Sequence, residues 1–279
     1  MGTTTGTTET TPPARSPEPA LPGETGDRWH FGGPVPAAFD EPVRRSVPLY
    51  DEGHRLILEL SDFFLNVGSG RVVDLGCSTG TLLSGLAARH DGRGMSFLGV
   101  DSEPDMVAHA ADRCADDARI AIRHASATDP DCFTADRSPD DLRRPPQTRE
   151  TKRANKSETA AGADLIVSYY TMQFVPPRQR QQVFDRIYQS LNWGGALVLF
   201  EKVRAPDARF QDMATQLYQE FKQRQGYRSE EILAKSRALK GVLEPFSTQG
   251  NLDLMRRAGV EDITSVRKYV CFEGFLAIK

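Results

Sequence analysis

The sequence predicts an α/β fold in which a mostly parallel, doubly wound sheet is closed by an antiparallel C-terminal strand. Three observations carry this. Short apolar runs at Val72-Val73, Phe97–Val100, Leu165–Val167 and Ala196–Phe200 alternate with helical patterns along the chain, the order that builds a sheet covered by helices. The later two runs are continuously apolar, as strands buried on both faces are. The last two apolar runs, ending at Ile278, read as a hairpin that closes the sheet.

The chain has 279 residues and a formal net charge of −3. Residues 1–22 are rich in Thr, Pro and Glu with almost no large apolar side chains. A disordered tail is expected there, followed by one domain over 23–279. The tail has neither the basic start nor the apolar core of a secretory signal. No stretch is long and apolar enough to span a membrane. A near-neutral charge argues against a nucleic acid partner, which selects a basic stripe. Cys77, Cys114, Cys132 and Cys271 are scattered and form neither a metal-ligand nor a disulfide pattern. No metal is expected, and a reducing cytoplasm fits.

The elements follow in order. Arg44-Arg-Ser-Val-Pro-Leu-Tyr50 precedes a helix over His54–Leu60. The strand at Val72 leads through a glycine turn into a helix carried by Leu82, Leu83, Leu86 and Ala87 to about Arg89. The strand Ser96–Asp101 precedes a helix from Pro104 to about Cys114, proline suiting the first turn. Ile120–Ile122 is the third strand. From Asp129 to Ala161 the periodicity vanishes into a charged, Pro- and Ser-rich stretch, which predicts a mobile insertion. Order returns with the strand Asp164–Tyr170, a helix from Pro177 to Leu191, a turn at Asn192–Gly195 and the strand Ala196–Phe200. Residues 205–240 then interrupt the alternation with a helical insertion, broken near Gly226-Tyr227. Its stripe of Met213, Leu217, Phe221, Ile232 and Leu233 suits a core or a partner subunit. The last helix covers Leu252–Ala258, and the hairpin is expected to turn at Arg267-Lys268.

Arg71-Val-Val-Asp-Leu-Gly-Cys-Ser-Thr-Gly80 is the most informative stretch. Its glycines let backbone approach a ligand closely. Asp101 ends the next strand, about 20 residues past the glycines, where nucleotide-binding folds hydrogen-bond a ribose. The inner glycine of the dinucleotide fingerprint G-x-G-x-x-G is absent. Asp74, Gly76 and Gly80 instead give D-x-G-x-x-x-G, which resembles motif I of the S-adenosyl-L-methionine (SAM)-dependent methyltransferases. That resemblance implies a Rossmann-like class I methyltransferase sheet with SAM as cofactor. It places Tyr50, Asp74, Gly76, Cys77, Ser78, Gly80, Asp101, Ser102, Ser126 and Tyr169 at the cofactor, Asp101 on the ribose.

Further segments are similar to the carboxy-SAM synthase family, which converts SAM and prephenate to a carboxylated SAM used in tRNA modification. They are Arg45–Tyr50, Asp74–Ser78, Thr171–Phe174, Ile187–Asn192, Gly194–Leu199, Glu201-Lys202, Phe221-Lys222, Gly226-Tyr227 and Leu276–Lys279. Ungapped alignment from Gly226-Tyr227 puts the family's carboxylate-pairing arginine on Ser236, after Lys235 and before Arg237. One helical step turns a side chain by about 100°, so Arg237 is expected to point elsewhere and the pocket to lack that cation. The family's asparagine after the fourth strand is Tyr169 here, and its acid after the third is Ser126.

These departures lead to an expectation of SAM-dependent methyl transfer to a small-molecule acceptor, as in specialised metabolite biosynthesis, by an enzyme that does not make carboxy-SAM. Tyr169 and Glu201 are the catalytic candidates, with His124 a further possible base. Tyr170 and Gln173 stand at a strand end where an acceptor binds. Carboxy-SAM synthesis, methylation of tRNA and a non-catalytic SAM-binding scaffold are the alternatives. The resemblance also implies a homodimer.

Overall fold

The computed structural model describes residues 29–32, 35–133 and 162–279. The expected tail at 1–22 and most of the expected insertion at 129–161 lie outside them. Helices α1 (Val35–Ala38), α2 (Asp40–Ser46) and α3 (Tyr50–Ser61) lead into β1 (Ser69–Leu75). Then follow α4 (Thr81–Arg89), β2 (Gly94–Asp101), α5 (Pro104–Arg113), β3 (Ile120–His124) and β4 (Ala163–Tyr169). The chain continues through α6 (Pro177–Ser190), β5 (Leu191–Lys202), α7 (Ala208–Arg224), α8 (Ser229–Ala238) and α9 (Thr248–Ala258) to β6 (Asp262–Tyr269) and β7 (Phe272–Ile278).

The strands form a seven-stranded sheet in the order β3-β2-β1-β4-β5-β7-β6. β1 through β5 run parallel, and β7 lies antiparallel between β5 and β6. Strand order reverses between β1 and β4, and ligands of such sheets bind at the carboxyl ends of strands beside that reversal. Register brings Asp74 of β1 level with Gly99 of β2 and Val167 of β4.

Successive strand residues face opposite sides, so the sheet has two cores. Val73, Leu75, Ile166 and Leu199 pack on one face with Phe184 and Ile187 of α6 and Met255 of α9. Val72, Leu165, Val198 and Phe200 pack on the other with Ile57 of α3 and Leu83 and Leu86 of α4. The α9 helix begins where Ser247 Oγ accepts the Gly250 amide (3.0 Å) and stops at Gly259, whose φ of +113° an L side chain resists.

The helical insertion clasps the Arg45–Tyr50 segment. Tyr218 Oη of α7 donates to the Ser46 carbonyl (2.9 Å), Tyr227 Oη to the Pro42 carbonyl (3.2 Å) and Arg45 Nε to the Gln225 carbonyl (3.1 Å). The two segments that carry the family resemblance are therefore one structural unit.

Three expectations need correction. The hairpin turns at Val270-Cys271, and Arg267 and Lys268 lie within β6. Arg267 is held there by the Leu49 carbonyl (2.7 Å) and by the Phe200 ring, 4.7 Å from its guanidinium. Asn192–Gly195 belongs to β5, where pairing with β4 shifts register between Ala163 and Leu165. Cys132 and Phe133, at the start of the expected insertion, are buried in the core.

Candidate active site

The turn after β1 runs through left-handed backbone at Gly76 (φ +77°), Ser78 (φ +52°) and Gly80 (φ +77°). A Cβ on Gly76 would overlap the Thr171 side chain, so that position admits only glycine. The amides of Gly76 and Cys77 both donate to the Val100 carbonyl, at 2.7 and 3.0 Å, folding the turn over the end of β2. Asp101 locks it: one carboxylate oxygen accepts the Ser78 amide (2.9 Å) and the other the Glu103 amide (3.0 Å). On the outer side Asp40 of α2 accepts from Thr79 Oγ1 (2.9 Å) and pairs with Arg113 (3.1 Å), tying the N-terminal helices to the turn.

This turn lines a cavity of about 970 Å³, at the upper end of the roughly 300–1,000 Å³ of small-molecule sites. Tyr50, Asp74, Gly76, Cys77, Ser78, Asp101, Ser102, Ser126 and Tyr169 all line it. Gly80 does not; it sits behind the turn, where a Cβ would meet Ala110 at 3.2 Å. Asp74 is buried, and its Oδ1 has no partner among the described residues. Burial, with Asp101 nearby, pushes its carboxyl up to about 7. Burial raises Asp101 as well. Two acids with an orphaned oxygen beside a glycine cradle fit a ligand carrying an ammonium and ribose hydroxyls.

The catalytic candidates fare differently. Tyr169 faces the cavity but donates its hydroxyl proton to the Tyr50 carbonyl (2.6 Å). Burial raises its phenol far above the ordinary value, so the phenolate a base requires is disfavoured. Its ring packs among Tyr50, His54, Tyr170 and Phe200. Glu201 is buried and is not among the residues lining the cavity; burial pushes it up to about 8, opposed by Arg180. Its neighbour Lys202 does line the cavity, as alternation along a strand requires. Gln173 borders the cavity but spends its amide on the Tyr170 carbonyl (3.0 Å) and the Lys202 amide (3.0 Å). His124 bonds the Ser102 carbonyl (3.0 Å) outside the cavity lining.

The cavity is also lined by three lysines that the sequence did not single out as functional. Lys202 and Lys222 place their ammonium groups 4.3 and 4.6 Å from the centroid of the Tyr218 ring. Lys235 Nζ donates to Ser46 Oγ (3.0 Å) and lies 5.0 Å from the Trp29 ring centroid. None of these lysines pairs with a carboxylate among the described residues. Burial, with Lys235 and Lys202 nearby, lowers Lys222 to about 7, and burial with Arg45 nearby lowers Lys235 to about 8. His54, its ring tilted by 50° against Tyr50 at 4.7 Å between centroids, is lowered by burial to about 4 and is neutral. Ser236, at the position of the family's arginine, lines the cavity together with Lys222 and Lys235, and Arg237, expected to point elsewhere, also borders it at its exposed rim.

A methyltransferase domain model matches residues 73–197. A carboxy-S-adenosyl-L-methionine synthase of Campylobacter lari is 31% identical over 253 residues, covering 90% of this chain and 95% of that one. One from Methylococcus capsulatus is 33% identical over 253 residues, covering 91% and 94%. An O-methyltransferase family protein from Burkholderia thailandensis superposes with a TM-score of 0.57 at 15% identity, over 88% of this chain and 59% of that one, a likeness of fold. Sheet order, glycine turn and Asp101 thus define an enzyme of the class I SAM-dependent methyltransferases, with SAM as its cofactor. Within that class, the chain belongs to the carboxy-S-adenosyl-L-methionine synthase family. Among the described residues no cluster of His, Cys, Asp or Glu could hold a metal ion, and no helix is long and apolar enough to cross a membrane.

Proposed function

We propose that this enzyme acts on SAM and a small carboxylate-bearing molecule to make carboxy-SAM, with prephenate as the partner that the family resemblance implies. One observation carries the reading. The cavity lined by Asp74 and Asp101 is also lined by Lys202, Lys222 and Lys235, whose charges no described acid balances. Buried like charges without a counterion are costly, and an anionic substrate relieves that cost. The relatives' name requires the same thing, since their product carries a carboxylate.

SAM supplies an activated carbon on a sulfonium, so the chain's work is to position, neutralise and exclude water. Asp101 takes the ribose hydroxyls, and Oδ1 of Asp74 is the acceptor available to the ammonium of the methionine end. Tyr50, His54 and Tyr169 form a wall whose neutral rings keep water out. The lysines neutralise the carboxylate. Methyl transfer to a small anionic acceptor of specialised metabolism is the second reading; Tyr169 favours it, standing where the family carries asparagine. Phe210, Met213, Leu217 and Leu233 of α7 and α8 are about half exposed, and such a stripe supports a homodimer.

Incubation with SAM and prephenate, followed by mass spectrometry of the nucleosides, tests the reading. Carboxy-SAM is expected. Tight SAM binding with no carboxy-SAM formed shifts the assignment to methyl transfer, and failure to bind SAM shifts it to a scaffold.

A further inference from the structure

Tyr169, Phe200, Gly274 and Arg267 form one row across β4, β5, β7 and β6, each paired in register with the next. Arg267 owes its place in that row to a bulge. Ser265 pairs with Phe275, so regular pairing would set Val266 against Gly274; the register shifts there, and Arg267 takes the position instead. Residues directly opposite each other share a face, so the bulge turns the arginine to the face that carries Phe200 and Tyr169. Gly274 leaves the way open. A Cβ there would meet the Phe200 ring at 2.5 Å, and the guanidinium crosses that ring at 4.7 Å from its centroid.

At the end of this reach Arg267 donates to the Leu49 carbonyl (2.7 Å) and to Tyr170 Oη (3.3 Å). Both recipients hold left-handed backbone, Leu49 at φ +56° and Tyr170 at φ +60°. Such a conformation is costly for a residue other than glycine and persists only where its surroundings impose it. Each of the two adjoins a tyrosine that lines the cofactor cavity: Tyr50 follows Leu49, and Tyr169 precedes Tyr170. Tyr169 Oη donates to the Tyr50 carbonyl (2.6 Å), which joins the two kinks into one wall. Helix α3 makes room for this contact, since a Cβ on Gly53 would overlap Tyr169 Oη and lie 2.8 Å from Arg267 Nη2. No carboxylate pairs with Arg267 among the described residues. The arginine does not line the cavity itself, so it reaches a ligand only through the tyrosines.

We propose that Arg267 is a positioning residue for the cofactor: it holds Leu49 and Tyr170 in their left-handed conformations and so sets Tyr50 and Tyr169 in the shape that receives SAM. The assignment needs only SAM in the cavity and stands apart from the identity of the second substrate.

Calorimetric titration of SAM into the full chain and its variants tests it, with urea midpoints to confirm that each variant is folded. A wall that is in the receptive shape only part of the time binds SAM more weakly by that fraction. Arg267→Met is expected to weaken SAM binding roughly tenfold, the equivalent of one lost hydrogen bond to a charged group. Arg267→Lys keeps the charge but not the planar fork, and it is expected to regain only part of the loss. Leu49→Gly is the decisive change, because glycine takes positive φ without a clamp. It is expected to improve SAM affinity several-fold in the Arg267→Met background and not to improve it in the wild type, a non-additivity that an arginine serving only the sheet edge would not produce. If Arg267→Met does not fold, the same comparison is made in Arg267→Lys. An equal effect of Leu49→Gly in the two backgrounds overturns the proposal. So does a folded Arg267→Met whose SAM Kd stays within about twofold of the wild type.

Discussion

Replacing Asp101 by alanine separates cofactor binding from turn stability. Its two carboxylate oxygens hold the Ser78 amide at 2.9 Å and the Glu103 amide at 3.0 Å, and the residue lines the cavity. An acceptor contacted by ribose hydroxyls contributes on the order of a hydrogen bond to a charged group, about 1.5–3 kcal/mol. At about 1.4 kcal/mol per tenfold, the SAM Kd should rise by roughly 10- to 150-fold. The same change orphans two amides, each costing about 1–3 kcal/mol if kept from water. Water entering the emptied space offsets part of that, as does removal of a carboxylate that sits unfavourably beside Asp74. Calorimetry with SAM gives the first quantity, and urea denaturation without ligand gives the second. Loss of binding with little loss of stability is expected. A SAM Kd unchanged within about twofold, alongside a lowered urea midpoint, would refute the ribose assignment and reduce Asp101 to a clamp on the turn.

Other outcomes follow from the same geometry. Asp74 has a carboxyl raised from the ordinary 3.8 to about 7, so the folded apo chain holds a proton there that the unfolded chain has released. That contribution is present below 3.8 and is lost as pH rises through about 7. The stability difference between wild type and Asp74→Asn, read from urea midpoints, should therefore shift against the wild type from pH 5 to pH 8; a flat difference contradicts the burial argument. Lys222 and Lys235 are lowered to about 7 and about 8 in the free enzyme, so carboxy-SAM affinity should fall from pH 7 to pH 9 while SAM affinity does not. Parallel profiles for the two ligands would show that the lysines do not face the carboxylate. Leu217, 48% exposed on α7, should lie in the dimer contact. Leu217→Arg should then shift sedimentation at micromolar concentration from dimer to monomer, and a wild type that is already monomeric rejects the contact.

What was legible in the sequence was local. Asp74, Gly76, Gly80 and Asp101 lie within two consecutive strand–turn–helix units, where glycine and acid spacing directly encode backbone geometry. Apolar runs gave the parallel sheet for the same reason. Misplacement of the hairpin turn came from taking Arg267-Lys268 as turn residues. Charge marks exposure only where no neighbour offers an acceptor, and here Arg267 finds the Leu49 carbonyl while apolar Val270 takes the left-handed position, φ +51°. The basic end of the cavity was the least legible part. Position 236 could be read as serine, but the neighbouring Lys235 enters the cavity because Tyr218 and Tyr227 bind carbonyls of α2. Contacts between residues some 170 positions apart leave no periodic trace. Glu201 looked functional because it follows a strand beside a lysine, yet alternation sends the two to opposite faces of the sheet.

In the proposed enzyme one cavity joins a SAM site at Asp101 to a carboxylate site at Lys222 and Lys235. A crystal structure of the enzyme with carboxy-SAM tests it most directly. Ribose hydroxyls are expected within hydrogen-bond distance of Asp101, and the ligand's added carboxylate within that distance of a lysine Nζ at Lys202, Lys222 or Lys235. A ligand seated at Asp101 whose added carboxylate turns away from all three lysines would contradict it.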